Sequence, residues 1–333
     1  MANRIKEKYM AGKRYFDYPM LFLVIFLICF GLVMIYSTSS YKSTVTYGNS
    51  YHWLLRQAVA IVLGAVAMVV CCKLDYRIIK SEKFGNGCYW ASIVLLVLVL
   101  IIGAAKKGAV RWISIAGFQF QPSEVSKILV VIYLANRLSA NAHKIRTFKD
   151  SIVIVLPTVP IIALIVTQNL STALVVCSMI GVMLFVVSPR MKELILTAGG
   201  GIILLFVYLL TANSYRNERV QIWLHPESHK KGFQTMQALY AIGSGGIFGK
   251  GLGQSMQKMG FIPESHNDMI FSIICEELGL FGAVCLILVF VALIFRMLLI
   301  ALNTEDLFGS LVVIGFMTHI AIQVFINIAV VTN

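Results

Sequence analysis

Charge is what this chain has least of. Only 13% of its 333 residues are Asp, Glu, Lys or Arg, where a soluble domain carries about a quarter. Acids are the scarcer sign, 15 against 28 Lys and Arg. That excludes an ordinary soluble enzyme and makes every acid in an apolar segment conspicuous. Seven cysteines (Cys29, Cys71, Cys72, Cys88, Cys177, Cys275 and Cys285) show neither a disulfide framework nor metal-ligand spacing. The histidines show no ligand spacing either. There is no low-complexity segment, no clear internal repeat and no soluble domain. No clustered basic face with aromatic partners is present, so the net charge of +13 does not indicate a nucleic-acid partner.

Hydrophobic residues make up 59% of the chain, and about 20 apolar residues span a bilayer as a helix. The pattern predicts an all-α, polytopic transmembrane helix bundle of nine spans: Tyr18–Ser37, His52–Cys72, Cys88–Ala105, Gln121–Asn136, Ser151–Thr167, Leu170–Val187, Glu193–Ala212, Met269–Ala301 and Leu307–Val331. Gln168 and Asn169 break one long apolar run and predict a turn with helix caps there. The first span is long and lacks a following small-residue cleavage site, so it reads as a signal anchor. In the short loops, Lys and Arg number sixteen on the N-terminal side and four on the other. The positive-inside rule then puts the N-terminus in the cytoplasm. The whole chain, 1–333, reads as one membrane domain, with 213–267 a large extracytoplasmic loop.

Two outer loops stand out. Lys106–Phe120 alternates polar and apolar residues around Gly117 and predicts a short hairpin or ribbon on the membrane surface. The 213–267 loop carries Trp223, Phe233, Tyr240, Phe248 and Phe261, so it is expected to fold against the bundle. Both lead into spans that carry acids.

Those acids have structural and functional readings side by side. Glu124 and Lys127 are three apart on one helical face. They form a structural ion pair, or line a polar cavity and set the protonation of a third group. Ser265-His266-Asn267-Asp268 matches a capping box before an apolar run, yet a carboxylate at a wet cleft also serves as a general base. Glu276 and Glu277 lie two turns deeper, where an unpartnered charge costs roughly 2.5–3.5 kcal/mol near mid-bilayer. Helical spacing puts Glu276 on the face of Ser272 and Asp268; hydrogen bonds to other helices are the simpler role for both. The glycines at 243, 245, 246, 249, 251 and 253 fail the phosphate-loop pattern, because Ser244 and Gly251 stand at required positions. They make turns, or let backbone N–H groups approach a pyrophosphate.

Together these residues resemble the SEDS family (shape, elongation, division and sporulation), which contains FtsW, RodA and SpoVE. The likeness is carried by FGLVMIYSTSS (Phe30–Ser40), by KGAVRWISIAGFQFQPSEVSK ending at Lys127, by QNLSTALV (Gln168–Val175), and by the block from Gly232 through SHNDMIFSIICEELG to Gly279. GLGQSMQK (Gly251–Lys258) is most like the FtsW/SpoVE branch. The resemblance implies a peptidoglycan glycosyltransferase that polymerises lipid II, releasing undecaprenyl pyrophosphate by inverting transfer. It implies Asp268 as the base and Glu124 and Lys127 as the pair that keeps it in position and in the right protonation state. Arg111, Trp112, Arg216, Arg219, His266 and Gln237 become candidates for contact with substrate. No cofactor is required, although a divalent cation on the pyrophosphate is compatible. Implied partners are a class B penicillin-binding protein and other divisome membrane proteins. The chain departs from the family at QNLS, where QPDLG is usual, at Asn267 in the HTD motif, and at His225. The family continues beyond the position of Asn333 with a tenth helix, so the chain reads as truncated relative to it. A lipid-precursor flippase and a non-catalytic division scaffold are the alternatives.

Overall fold

The computed structural model describes residues 16–106, 109–115, 118–145, 147–188, 225–228, 232–262 and 265–333, with isolated positions 193, 199 and 222. Ten helices are described: α1 Tyr18–Tyr47, α2 His52–Lys73, α3 Glu82–Ile102, α4 Pro122–Asn141, α5 Phe148–Val155, α6 Val159–Gln168, α7 Leu170–Val187, α8 Phe233–Gly245, α9 Ile270–Asn303 and α10 Leu307–Thr332. Seven stretches are long and apolar enough to cross a membrane, with Lys149–Gln168 counted as one. The protein is a multi-pass membrane protein. The expected span Gln121–Asn136 is helical as the 20-residue α4, but it is not among those seven stretches. The expected span Glu193–Ala212 lies outside the described residues.

The ribbon expected over 106–120 is a three-stranded antiparallel sheet: β1 Ala104–Lys106, β2 Ala109–Ile115 and β3 Phe118–Phe120. Its registers include Ala104 opposite Trp112 and Ile113 opposite Phe120. It marks one end of the bundle, called here the hairpin end. Asn169 caps α7 by accepting from Ser171 N at 3.1 Å, and buried Gln168 donates to the Leu96 carbonyl at 3.2 Å. The polar break therefore closes the α6–α7 turn, and no charge is needed there.

The main core joins α3, α4, α6, α7 and α10 through residues such as Leu96, Leu134, Ile165, Met183 and Leu311. Gly315 on α10 allows the closest approach. A Cβ there would come within 2.6 Å of Val131 on α4 and 3.2 Å of Met183 on α7. A second core joins α8, α9 and the end of α10 through Ala238, Ala241, Ile273 and Val331. Helix α2 packs beside α1 but buries none of its residues within the chain.

Helix α9 is broken at Gly279, which has φ 69° and ψ −172°. An unbroken helix would pair Leu280 N with Glu276 O and Phe281 N with Glu277 O. Instead Lys250 N and Gly251 N take those two carbonyls, each at 2.9 Å. Leu280 N and Phe281 N turn to the Gly246 and Ile247 carbonyls at 2.9 and 3.0 Å. The glycine-rich turn after α8 thus exchanges hydrogen bonds with the helix break, and buried backbone groups stay paired. Two of the glycines make this approach possible. Side chains at Gly245 or Gly249 would overlap the Cys275 or Glu277 carbonyl.

Two ion pairs tie the opposite end. Asp17 accepts from Arg296 at 2.9–3.0 Å, and Lys80 donates to Asp306 at 2.6 Å. The Arg296 hydrogen bond holds the Asp17 carboxyl below its ordinary 3.8, and the Lys80 hydrogen bond does the same for Asp306. Depressed carboxyl values contribute stability above the unfolded value, and that stability is lost as pH falls through the folded values. Their contribution to the melting temperature is therefore expected to be constant around neutral pH and to be lost as pH falls below 3.8. Each partly exposed pair is worth at most about 1 kcal/mol. A D17N/D306N variant, followed by thermal unfolding against pH, should lack that part of the acid decline.

Candidate active site at the hairpin end of the bundle

Asp268 sits in the turn before α9. Its backbone carbonyl accepts from Asn327 on α10 at 3.3 Å. Its side chain is exposed and forms no ion pair among the described residues. The capping-box reading fails. Helix α9 begins at Ile270 with Met269 as N-cap and no side-chain cap bond. Ser265 is turned the other way, its hydroxyl donating to Thr38 O at 3.3 Å. Asp268 is a carboxylate without a structural duty, held at a fixed backbone point.

Lys127 pairs with Glu124 at 2.8 Å; the lysine side chain is 2% exposed and the glutamate 52%. The expected grouping of both with Asp268 into one ion cluster does not form. Helix α10 packs against both α4 and α9. It meets α4 at Gly315 and the Asp268 turn at Asn327, three helical turns further on. His319 on α10 lies within electrostatic reach of both Lys127 and Glu124. The histidine spacing did not single it out. His319, Gln323 and Asn327 recur at i, i+4 and i+8 in an otherwise apolar helix, which is the signal that points to it.

His266 joins the turn to α2. Its ring lies 4.8 Å from that of Trp53, over which Arg56 sits at 5.7 Å. Tyr47 stacks on His52 at 3.9 Å. Beside this aromatic group opens a cavity of about 400 Å³ lined by Tyr47, Trp53, Arg56, Val59, Leu63 and Gln119. Its lining combines one cation and two aromatic rings with aliphatic side chains. Arg111 and Trp112 are half-buried on β2. The Arg111 Nε is shielded with no hydrogen-bond partner among the described residues. Gln237 is half-buried on α8. Arg216 and Arg219 lie outside the described residues.

Glu276 and Glu277 are fully buried, and neither shares a surface with Asp268. Helix α9 starts after Asp268, so the i, i+8 relation does not apply. Glu276 binds Lys250 at 2.7 Å and accepts from the Ser255 hydroxyl and Met256 N. Glu277 binds Lys258 at 2.7 Å and accepts from the Ser37 hydroxyl at 2.6 Å. Their partners are the glycine-rich turn and α1. Among the described residues no group of three or more His, Cys, Asp or Glu is placed to hold a metal ion.

The profile of the FtsW, RodA and SpoVE family, described as "Cell cycle protein", matches residues 18–333. The chain is 36% identical over 328 residues to the probable peptidoglycan glycosyltransferase FtsW of Geobacter metallireducens, covering 96% of this chain and 86% of that protein. It is 36% identical over 327 residues to the stage V sporulation protein E of Bacillus subtilis, covering 95% and 87%. Its fold matches a chain from a peptidoglycan synthase complex, described for its coordination of polymerization and crosslinking, with TM-score 0.80, 28% identity and coverage of 96% and 88%. It also matches the rod shape determining protein RodA of Thermus thermophilus, with TM-score 0.69, 26% identity and coverage of 96% and 86%. This chain belongs to the FtsW, RodA and SpoVE family of cell cycle proteins.

Proposed function

We propose that this protein is a peptidoglycan glycosyltransferase of the cytoplasmic membrane. It polymerises lipid II at the hairpin end, which is the outer face, with the N-terminus cytoplasmic. The observation that carries the reading is Asp268, an exposed carboxylate with no ionic partner among the described residues, set where α1, α2, α9 and α10 converge.

The acceptor is lipid II and the donor a glycan on undecaprenyl pyrophosphate. The GlcNAc 4-hydroxyl gives its proton to Asp268 and attacks the MurNAc anomeric carbon. The bond to pyrophosphate breaks and the linkage inverts to β-1,4. A free carboxylate suits this step, because one already paired to lysine is a poorer proton acceptor. Lys127 with Glu124 contributes a fixed dipole rather than a full charge, since the two ions largely cancel at a distance. Arg111 and Arg56 at the hairpin end, with Arg216 and Arg219, stabilise the departing pyrophosphate. A divalent cation on the pyrophosphate is compatible with this chemistry, although the described residues offer no donor set for one. Trp112, Gln237 and His266 border the acceptor. The cavity beside Trp53 accommodates an isoprenyl chain on Val59 and Leu63. The transpeptidase partner is a class B penicillin-binding protein, with other divisome membrane proteins, and the branch is division or sporulation.

Glu276 and Glu277, buried in the bundle, favour a lipid-precursor flippase as the second reading. Against it, each is paired with a lysine; Glu276 also accepts from the Met256 amide and Glu277 from the Ser37 hydroxyl.

The reading requires the 213–267 segment to face the substrate's compartment. A cysteine at Ser228 is expected to react with a membrane-impermeant thiol reagent in intact spheroplasts. Reaction only after lysis reverses the orientation and removes the site from lipid II.

A further inference from the structure

We infer that Ser37, Lys258 and Glu277 form a positioning latch that sets where the Asp268 carboxylate stands; the inference rests on the assignment of Asp268 as the base. The Ser37 hydroxyl donates to Glu277 and accepts from Lys258 Nζ at 3.1 Å, while Lys258 Nζ also binds Glu277 at 2.7 Å. All three side chains are buried, Ser37 7%, Lys258 5% and Glu277 0% exposed. The next residue of α1, Thr38, accepts through its carbonyl from Ser265. Two successive positions of α1 therefore grip the segment at Lys258 and at Ser265, ten and three residues before Asp268.

The chemistry of the latch points beyond holding the fold. A buried ion pair is generally replaceable by apolar residues of similar volume without loss of stability. The second core and the hydrogen-bond exchange at Gly279 already fix α8 to α9. What an ion pair sharing one hydroxyl adds is direction, because both ions and the serine must keep their angles at once. The segment it directs ends at the carboxylate, whose own side chain has no hydrogen bond or ion pair among the described residues to orient it. Displacement of a reacting group by about 1 Å costs on the order of 100-fold in rate. The latch residues touch no substrate and are positioning residues.

The test uses the full chain with its transpeptidase partner and lipid II. Two variants separate positioning from folding. Ser37→Ala removes the shared hydroxyl and leaves the ion pair. Lys258→Met with Glu277→Leu replaces the pair by apolar residues of similar size. Both are expected to lower kcat about 10–100-fold, with KM for lipid II within about twofold and the melting temperature close to wild type, and Ser37→Thr is expected to restore kcat. Amide hydrogen exchange over residues 265–269 is expected to quicken in both variants. Unchanged kcat in the two variants overturns the inference, as does unchanged exchange alongside a lowered kcat. If Asp268→Asn polymerises normally, the base assignment fails instead, and the exchange measurement still decides whether the latch holds the loop.

Discussion

Asp268→Asn is expected to lower the initial rate of lipid II polymerisation by at least about 10²-fold, within the range of general-base catalysis. The melting temperature should stay at the wild-type value. The structure separates the two readouts. Asp268 caps no helix and forms no ion pair among the described residues, and only its backbone carbonyl is engaged, by Asn327. Asn keeps that carbonyl and nearly the same shape, and loses only the ability to accept a proton as a carboxylate. Wild-type rates would remove Asp268 as the base. A lost rate with a lowered melting temperature would return it to a structural role.

Gly279→Ala is the substitution expected to damage the fold most. At φ 69° and ψ −172° an L side chain costs roughly 1–3 kcal/mol. The added Cβ would also overlap the Gly249 amide and the Ile247 carbonyl, both backbone atoms with no rotamer to yield. The hydrogen bonds from Leu280 and Phe281 to the glycine-rich turn would part, leaving Glu276 and Glu277 without their partners. Removing partners from buried charges costs about 3–5 kcal/mol. Little folded protein should survive size-exclusion chromatography in detergent. Gly87→Ala, on α3 with open space around its Cβ, is the matched control and should behave as wild type. A Gly279→Ala protein with a normal profile would mean that the break is not a fixed feature.

Much of the bundle is legible in the sequence, because hydropathy and caps act locally. The spans at Tyr18, His52, Leu170 and Leu307 begin within a residue of the helices observed. The turn at Gln168–Asn169 follows from its polar residues, and the ribbon over 106–120 from alternation, while the strand residues Ala104 and Ala105 are apolar and read as the end of the preceding span. The site is less legible because its contacts are distant in the chain. Nothing near Glu277 shows that its partners are Lys258, 19 residues away, and Ser37, 240 residues away. The SHND pattern reads as a capping box, but the Ser265 hydroxyl is taken by Thr38, and a local rule cannot see that contact. Lys127 and Asp268 both belong at the same end of two spans. Sequence gives depth along a helix but not order around the bundle, and α10 packs against both spans. Among the glycines of 243–253, Gly246, Gly251 and Gly253 take positive φ as turn formers do, whereas the need for glycine at 245 and 249 shows only once the break in α9 supplies the backbone they approach.

The central claim is that this protein itself forms glycosidic bonds. Purified protein in detergent, with a partner whose transpeptidase is inactive, tests it most directly, because detergent leaves no second compartment to which a precursor could be moved. Given lipid II, the wild-type chain is predicted to yield a ladder of glycan strands on a gel, digestible by a muramidase that cleaves β-1,4 linkages. Lipid II recovered intact from folded, partner-bound protein would contradict the account and favour the flippase or scaffold reading.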